Sequence, residues 1–110
     1  MTSTKQNHKR WRKEFNEACF ERDNHKCVFC NETEDIAAHH ITDRHDMPNG
    51  GYVMSNGITL CPEHHKVCEA NMGREVSWKT EYGDFFTQTE LYIKINSTFA
   101  TAYNDSLNLK

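Results

Sequence analysis

A small α+β domain closed around one metal ion is the fold class predicted for this chain of 110 residues, on three observations. Two half-sites, Cys27-Val28-Phe29-Cys30 and Cys61-Pro62-Glu63-His64, are spaced so that one tetrahedral zinc ion can take two ligands from each. A thiolate pair two residues apart makes a tight knuckle, and positions i and i+3 share a face where a helix begins. Only 36% of the residues are apolar, so the core is thin for a single domain and a structural metal makes up the deficit. The cysteines are odd in number, five, and three of them fall in C-x-x-C and C-x-x-H contexts rather than an even framework, which favours metal binding in a reducing compartment over disulfides.

The elements follow in chain order. Trp11, Phe15, Ala18, Cys19 and Arg22 stand at i, i+4, i+7, i+8 and i+11, the spacing of an amphipathic helix from about Lys9 to Glu21, with its apolar face expected on the zinc module. Asp23-Asn24 ends it. Ile36 to Ile41 reads as the first strand of a hairpin, and a long loop through Pro48-Asn49-Gly50-Gly51 follows, its glycines tolerating the positive φ of a tight turn. Gly57 to Leu60 is the expected second strand. Pro62 suits a first helical position, and a helix is expected to run to about Asn71, stopped by Gly73.

Beyond Gly73, Leu91, Ile95, Phe99, Ala102 and Tyr103 recur with helical spacing, although Leu91, Ile93 and Ile95 also alternate like a strand; a carboxy-terminal helix is the expectation. Trp78, Tyr82, Phe85 and Phe86 are expected to pack on the amino-terminal helix. No repeat, low-complexity linker or second domain is visible, so residues 1–110 read as one domain: a basic helix or arm over 1–21, a core over 22–71 and an extension over 72–110.

Cys27, Cys30, Cys61 and His64 complete one structural site, which is closed and does no chemistry of its own. His39, His40 and His65 are left over, and these three decide the function. Because i+3 and i+4 from Cys61 lie on almost the same helix face, His64 and His65 can exchange roles, with His64 the preferred zinc ligand. Cys19 and Cys68 read as free thiols, Cys68 also being one turn from His64 and so a further candidate ligand.

The order Ala38-His39-His40-Ile41, then Asn56-Gly57-Ile58-Thr59-Leu60-Cys61, then His64-His65-Lys66 resembles the HNH endonuclease family, whose ββα-metal (His-Me finger) motif is named after a histidine, an asparagine and a histidine. The resemblance spans about Arg22 to Asn71, less than half of the chain. It implies a metal-dependent hydrolysis of DNA phosphodiester bonds, as nicks or double-strand breaks of weak sequence specificity, by a zinc-stapled ββα domain with flanking helices. By similarity, His40 is the general base that deprotonates the attacking water. His39 matches the slot, often an aspartate in relatives, that ligates the catalytic divalent metal, and His65 matches the second metal-ligating position. Asn56 matches the asparagine whose amide holds the loop and orients His40; its plainer reading is a turn former in Ser55-Asn56-Gly57.

That chemistry suits these residues. A metal that neutralises the transition-state oxygens lowers the barrier to attack on a phosphodiester, and imidazole is basic enough near pH 7 to take the water's proton. Adjacent strand residues point to opposite faces, so His39 and His40 are expected to divide the two roles. The sequence departs from the commonest family pattern at His64, where many relatives carry a second cysteine, and at His39. Both keep a competent ligand, and two imidazoles at the catalytic metal suggest use of Mn²⁺, Co²⁺ or Ni²⁺ alongside Mg²⁺.

Net charge is −3, which is awkward for a DNA-binding chain, but Lys5, Lys9, Arg10, Arg12 and Lys13 crowd the first stretch while acids gather at Glu32 to Asp35 and toward Asp84 and Glu90. The basic segment is read as a non-specific contact to duplex DNA, with a merely solvated helix face as the alternative. Arg44, just after the base, is a candidate phosphate contact through its planar fork, against a solvated loop arginine. Glu69 is a weaker candidate to hydrogen-bond His65. His8, His25 and His45 read as surface residues.

No apolar run approaches the ~20 residues needed to span a bilayer, and the start Met1-Thr2-Ser3-Thr4-Lys5 lacks the apolar stretch of a signal peptide; a soluble, cytoplasmic protein is expected, compact enough for a phage or mobile element. A non-catalytic zinc finger binding nucleic acid or protein is the other reading, and a nuclease acting on RNA the third, since phosphodiester chemistry alone does not distinguish the sugars.

Overall fold

The computed structural model describes residues 4–70, 78–79 and 85–110. Helix α1 spans Thr4–Arg22, strand β1 Ala37–His40, strand β2 Gly57–Leu60 and helix α2 Pro62–Ala70; the short strands β3 (Trp78–Lys79) and β4 (Phe85–Phe86) and the helices α3 (Gln88–Lys94) and α4 (Phe99–Leu107) follow. The architecture is α+β. β1 and β2 form an antiparallel pair in which Ala37 faces Leu60, Ala38 faces Thr59, His39 faces Ile58 and His40 faces Gly57. β3 and β4 pair separately.

Helix α1 starts earlier than its apolar spacing predicts, because the residues ahead of Lys9 are polar and carry no periodic signal. Its buried residues Trp11, Phe15 and Cys19 do fall at the expected spacing. They form a cluster with Tyr52, against which Ala38 and Leu109 pack, whereas the zinc-ligand candidates Cys27 and Cys61 belong to a second cluster with Ile41, Ile58, Leu60, Leu91 and Tyr92. The helix therefore rests on the opposite side of the strand pair from the cysteines, not on the zinc module. It comes close at Gly57, where a Cβ would stand 2.5 Å from the Phe15 ring and closer still to the Cys19 sulfur.

The connection from β1 to β2 is not an open loop. It is wound into three 3-10 turns, Arg44–Asp46, Pro48–Gly51 and Met54–Asn56. Asn49, Gly50 and Gly51 take φ of 54°, 82° and 64°, the left-handed conformation anticipated at the two glycines. Arg22 closes the end of α1 against this segment: it donates to the Met54 and Gly57 carbonyls and forms a two-pronged pair with Asp23, whose carboxylate also accepts from the Thr59 N–H.

The carboxy-terminal segment holds two helices where one was expected. Each has its own threonine cap: Thr87 accepts from the Glu90 N–H, and Thr98 from the Thr101 N–H. Asn96, with φ of 57°, breaks the run between them. The mixed helical and alternating pattern around Leu91 to Ile95 thus belongs to the end of one short helix. The side chains of Trp78, Phe85 and Phe86, like Tyr82, Gly73 and the Glu69 side chain, lie outside the described residues. Among the described residues no helix is long and apolar enough to cross a membrane.

Candidate metal centre and histidine cleft

The knuckle Cys27–Cys30 and the start of α2 bring three thiols and one imidazole together. The metal-binding atoms of Cys27, Cys30, Cys61 and His64 all lie within 4.8 Å of one another. Cys30 Sγ stands 3.7 Å from Cys61 Sγ, and His64 Nδ1 stands 3.2 Å from Cys61 Sγ and 3.7 Å from Cys27 Sγ. Zinc bond lengths at a tetrahedral angle require ~3.8 Å between two sulfurs and ~3.6 Å between sulfur and nitrogen, so the cluster already has the span of a zinc cage.

The donor chemistry agrees. Burial works to raise the Cys27 thiol, but the backbone N–H groups of Cys61, Phe29 and Cys30 aimed at its sulfur outweigh it, and its pKa lies below the ordinary value. Burial, with the neighbouring thiols, pushes Cys61 up to about 12. Crowded thiols cannot all ionise unless a cation neutralises them, and zinc bound here would do that while tying the 27–30 knuckle to α2. Cys68 is outside this group of four; burial raises it to about 12, as burial also does Cys19, and both behave as buried thiols.

His64 and His65 do not exchange places: His64 Nδ1 is in the cluster, and His65 turns into a cleft of about 570 Å³ on the other face of α2. His39, His40 and Arg44 line the same cleft. The His39 ring meets that of His65 with centroids 5.2 Å apart at 69°. His40 leans the other way, stacked on Phe15 at 4.6 Å and edge-on to Tyr52 at 5.0 Å. The strand alternation thus separates the two neighbours, yet both rings border one cavity.

The buried His40 Nε2 has no partner, and the Gly50 carbonyl close to the ring favours its charged form. His39 is only 2% exposed, and its Nε2 is likewise without a partner. Burial, reinforced by the charges of His65 and His40, lowers His39 to about 3; burial also lowers His40, to about 4, against the pull of the Gly50 carbonyl. Both imidazoles are neutral at physiological pH.

Asn56 is fully buried and carries four hydrogen bonds. Its Oδ1 accepts from the Thr42 N–H at 3.0 Å and the Tyr92 hydroxyl at 2.7 Å, and its Nδ2 donates to the Thr42 and Gly51 carbonyls at 3.1 and 3.2 Å. It reaches His40 through the chain: by holding Gly51 it holds the adjacent Gly50 carbonyl.

Four residues of this region were not read from the sequence as parts of the site. Tyr92 supports Asn56 from 36 positions away, and Thr42 shares its hydroxyl at 2.6 Å. Tyr52 and Phe15 box the His40 ring; Phe15 was visible as a core position but not as a neighbour of the site. His8 is not a plain surface residue, since its ring lies against Trp11 and Tyr52. His45 pairs with Asp43 at 3.2 Å, and His25 tilts over Phe20. Comparison of the chain with protein-family models, curated proteins and solved structures yields no match.

Proposed function

We propose that the chain is a zinc-stapled, metal-dependent endonuclease of the HNH type, hydrolysing phosphodiester bonds of duplex DNA in the cleft between α1 and α2. The observation that supports it most is the convergence of His39, His40 and His65 on one cavity, with the Nε2 atoms of His39 and His40 buried and unpartnered. A zinc finger that only binds needs none of the three.

His39 and His65 would hold a divalent cation, Mg²⁺, Mn²⁺, Co²⁺ or Ni²⁺; the buried lone pair of His39 beside the His65 ring suits such a ligand. When bound, that ion would supply charge neutralisation for the phosphate and leaving oxygens. His40 takes the proton of water as it attacks phosphorus, the bond from phosphorus to the leaving oxygen breaks and that oxygen takes a proton from solvent, and the nearby Gly50 carbonyl favours the imidazolium that His40 becomes. Asn56 keeps that carbonyl in place. Phe15 and Tyr52 fix the ring plane and keep bulk water off its faces.

The test is to incubate the zinc-loaded protein with supercoiled plasmid across a series of divalent ions, beside a folded His40→Ala protein and a parallel RNA duplex. Conversion to nicked or linear plasmid by the wild type alone is expected. Intact plasmid in every ion would overturn the reading, and cleavage confined to RNA would change its substrate.

A further inference from the structure

Two guanidinium groups stand at the rim of the histidine cleft, brought there by different elements: Arg12 from α1 and Arg44 from the first 3-10 turn. Both are exposed, and both line two adjoining depressions, one leading to His39, His40 and His65 and the other toward His8 and Gly50. Tyr52 lines both depressions with them. Arg12 Cζ is 5.9 Å from the Tyr52 ring centroid, and burial, which would raise the Tyr52 phenol, is outweighed by the nearby guanidiniums of Arg12 and Arg44.

Neither arginine is consumed by an ion pair at hydrogen-bonding distance among the described residues, where Arg22–Asp23 and His45–Asp43 are the pairs formed. The carboxylate in the cleft, Asp43, is engaged by the His45 N–H and ring. Like charges gathered around one tyrosine, neither of them in an ion pair among the described residues, gain most from an anion that each can grip with its planar fork.

We infer that Arg12, Arg44 and Tyr52 form a clamp for a single phosphate of the nucleic-acid backbone at the mouth of the histidine cleft. The inference rests on the reading of that cleft as a nuclease site, and goes beyond it in making Arg12 and Arg44 one binding unit instead of two independent cations. Tyr52 is its hinge: its ring carries Arg12 and packs on His40, so the gripped phosphate is placed relative to the base.

The experiment measures binding of a short DNA duplex by fluorescence anisotropy, in calcium and across a salt series, for zinc-loaded wild type, Arg12→Gln, Arg44→Gln and the double variant. All these substitutions are on exposed side chains and leave the core intact. Each single change is expected to weaken binding about ten-fold, and the double change scarcely more than either, because both remove the same phosphate contact. The slope of log affinity against log salt should fall by about 0.9 in all three. Unchanged affinity, or losses that multiply as independent sites do, overturns the clamp. Plasmid cleavage is scored separately: coupled losses without cleavage would leave the clamp and remove the nuclease, and cleavage with uncoupled losses would do the reverse.

Discussion

Phe15 stacks on His40 with ring centroids 4.6 Å apart and planes 28° from parallel. The contact exists because His40 faces Gly57 across the strand pair, and the missing side chain there lets α1 lower an aromatic ring onto the imidazole. Phe15→Ala should cost about 3–5 kcal/mol of stability, as large-to-small changes of a buried phenylalanine do, measured by urea unfolding of the zinc-loaded protein. Phe15→Leu, which keeps most of the volume, should unfold less readily than Phe15→Ala yet still lose cleavage rate. Full activity in Phe15→Leu would show that the ring does not position His40.

His40→Ala should reduce plasmid cleavage at least about a hundred-fold while retaining stoichiometric zinc, the range expected when a general base is removed. Cleavage within a few-fold of wild type by a folded variant would take the base role from His40.

Metal analysis separates the two proposed sites. Cys27→Ser or Cys61→Ser should lose zinc and unfold or destabilise the domain, because a structural metal contributes directly to folding free energy. His39→Ala should keep zinc and require more divalent ion for cleavage, and Cys68→Ala should keep both. Zinc retained in full by Cys27→Ser, or lost from His39→Ala, would refute the partition.

His39 and His40 are held at about 3 and about 4, so between those values and the ordinary 6.5 the unfolded chain binds more protons than the folded one. Stability therefore rises with pH over this window: it is fully present above about pH 6.5 and is lost as pH falls through the folded values. Denaturant midpoints from pH 5 to 7.5, compared with those of His40→Gln, isolate the His40 share from any acid release of metal, since both proteins keep the same four candidate metal ligands. Parallel curves for the two proteins would mean that His40 is not held neutral by its surroundings.

Tyr92→Phe removes one of the two donors to Asn56 Oδ1 and leaves the Thr42 N–H in place. It should cost about 1 kcal/mol, whereas Asn56→Ala, which strands the Thr42 N–H and two carbonyls, should cost several times more. Thermal unfolding of both variants checks the ranking; equal costs would deny Asn56 its part in holding the loop.

The strand pair, α2 and the metal cluster were legible because their signals are local: a knuckle, an alternation, a proline at a helix start. Trp11, Phe15 and Cys19 were legible as one helix face. What they face was not, since nothing in a 3.6-residue period says which side of a sheet a helix will cover. The wound connection over Arg44–Asn56 was hidden for a similar reason, its order coming from hydrogen bonds to Thr42, Gly51 and Tyr92 rather than from any period. Arg12 was seen only as one charge in a basic stretch; its position beside Arg44 depends on the packing of α1 against Tyr52.

The hydroxyl of Tyr92, planted in the amide of Asn56, makes the carboxy-terminal extension a structural partner of the motif it follows. Residues 22–71 transplanted into another scaffold would bring every zinc ligand and all three cleft histidines but leave behind both Phe15 and Tyr92. Such a graft would keep Tyr52 and the bonds of Asn56 to Thr42 and Gly51, but lose the ring stacked on His40 and the second donor to the Asn56 amide. Any chimaera or minimal version of this domain must therefore be cut outside α1 and α3.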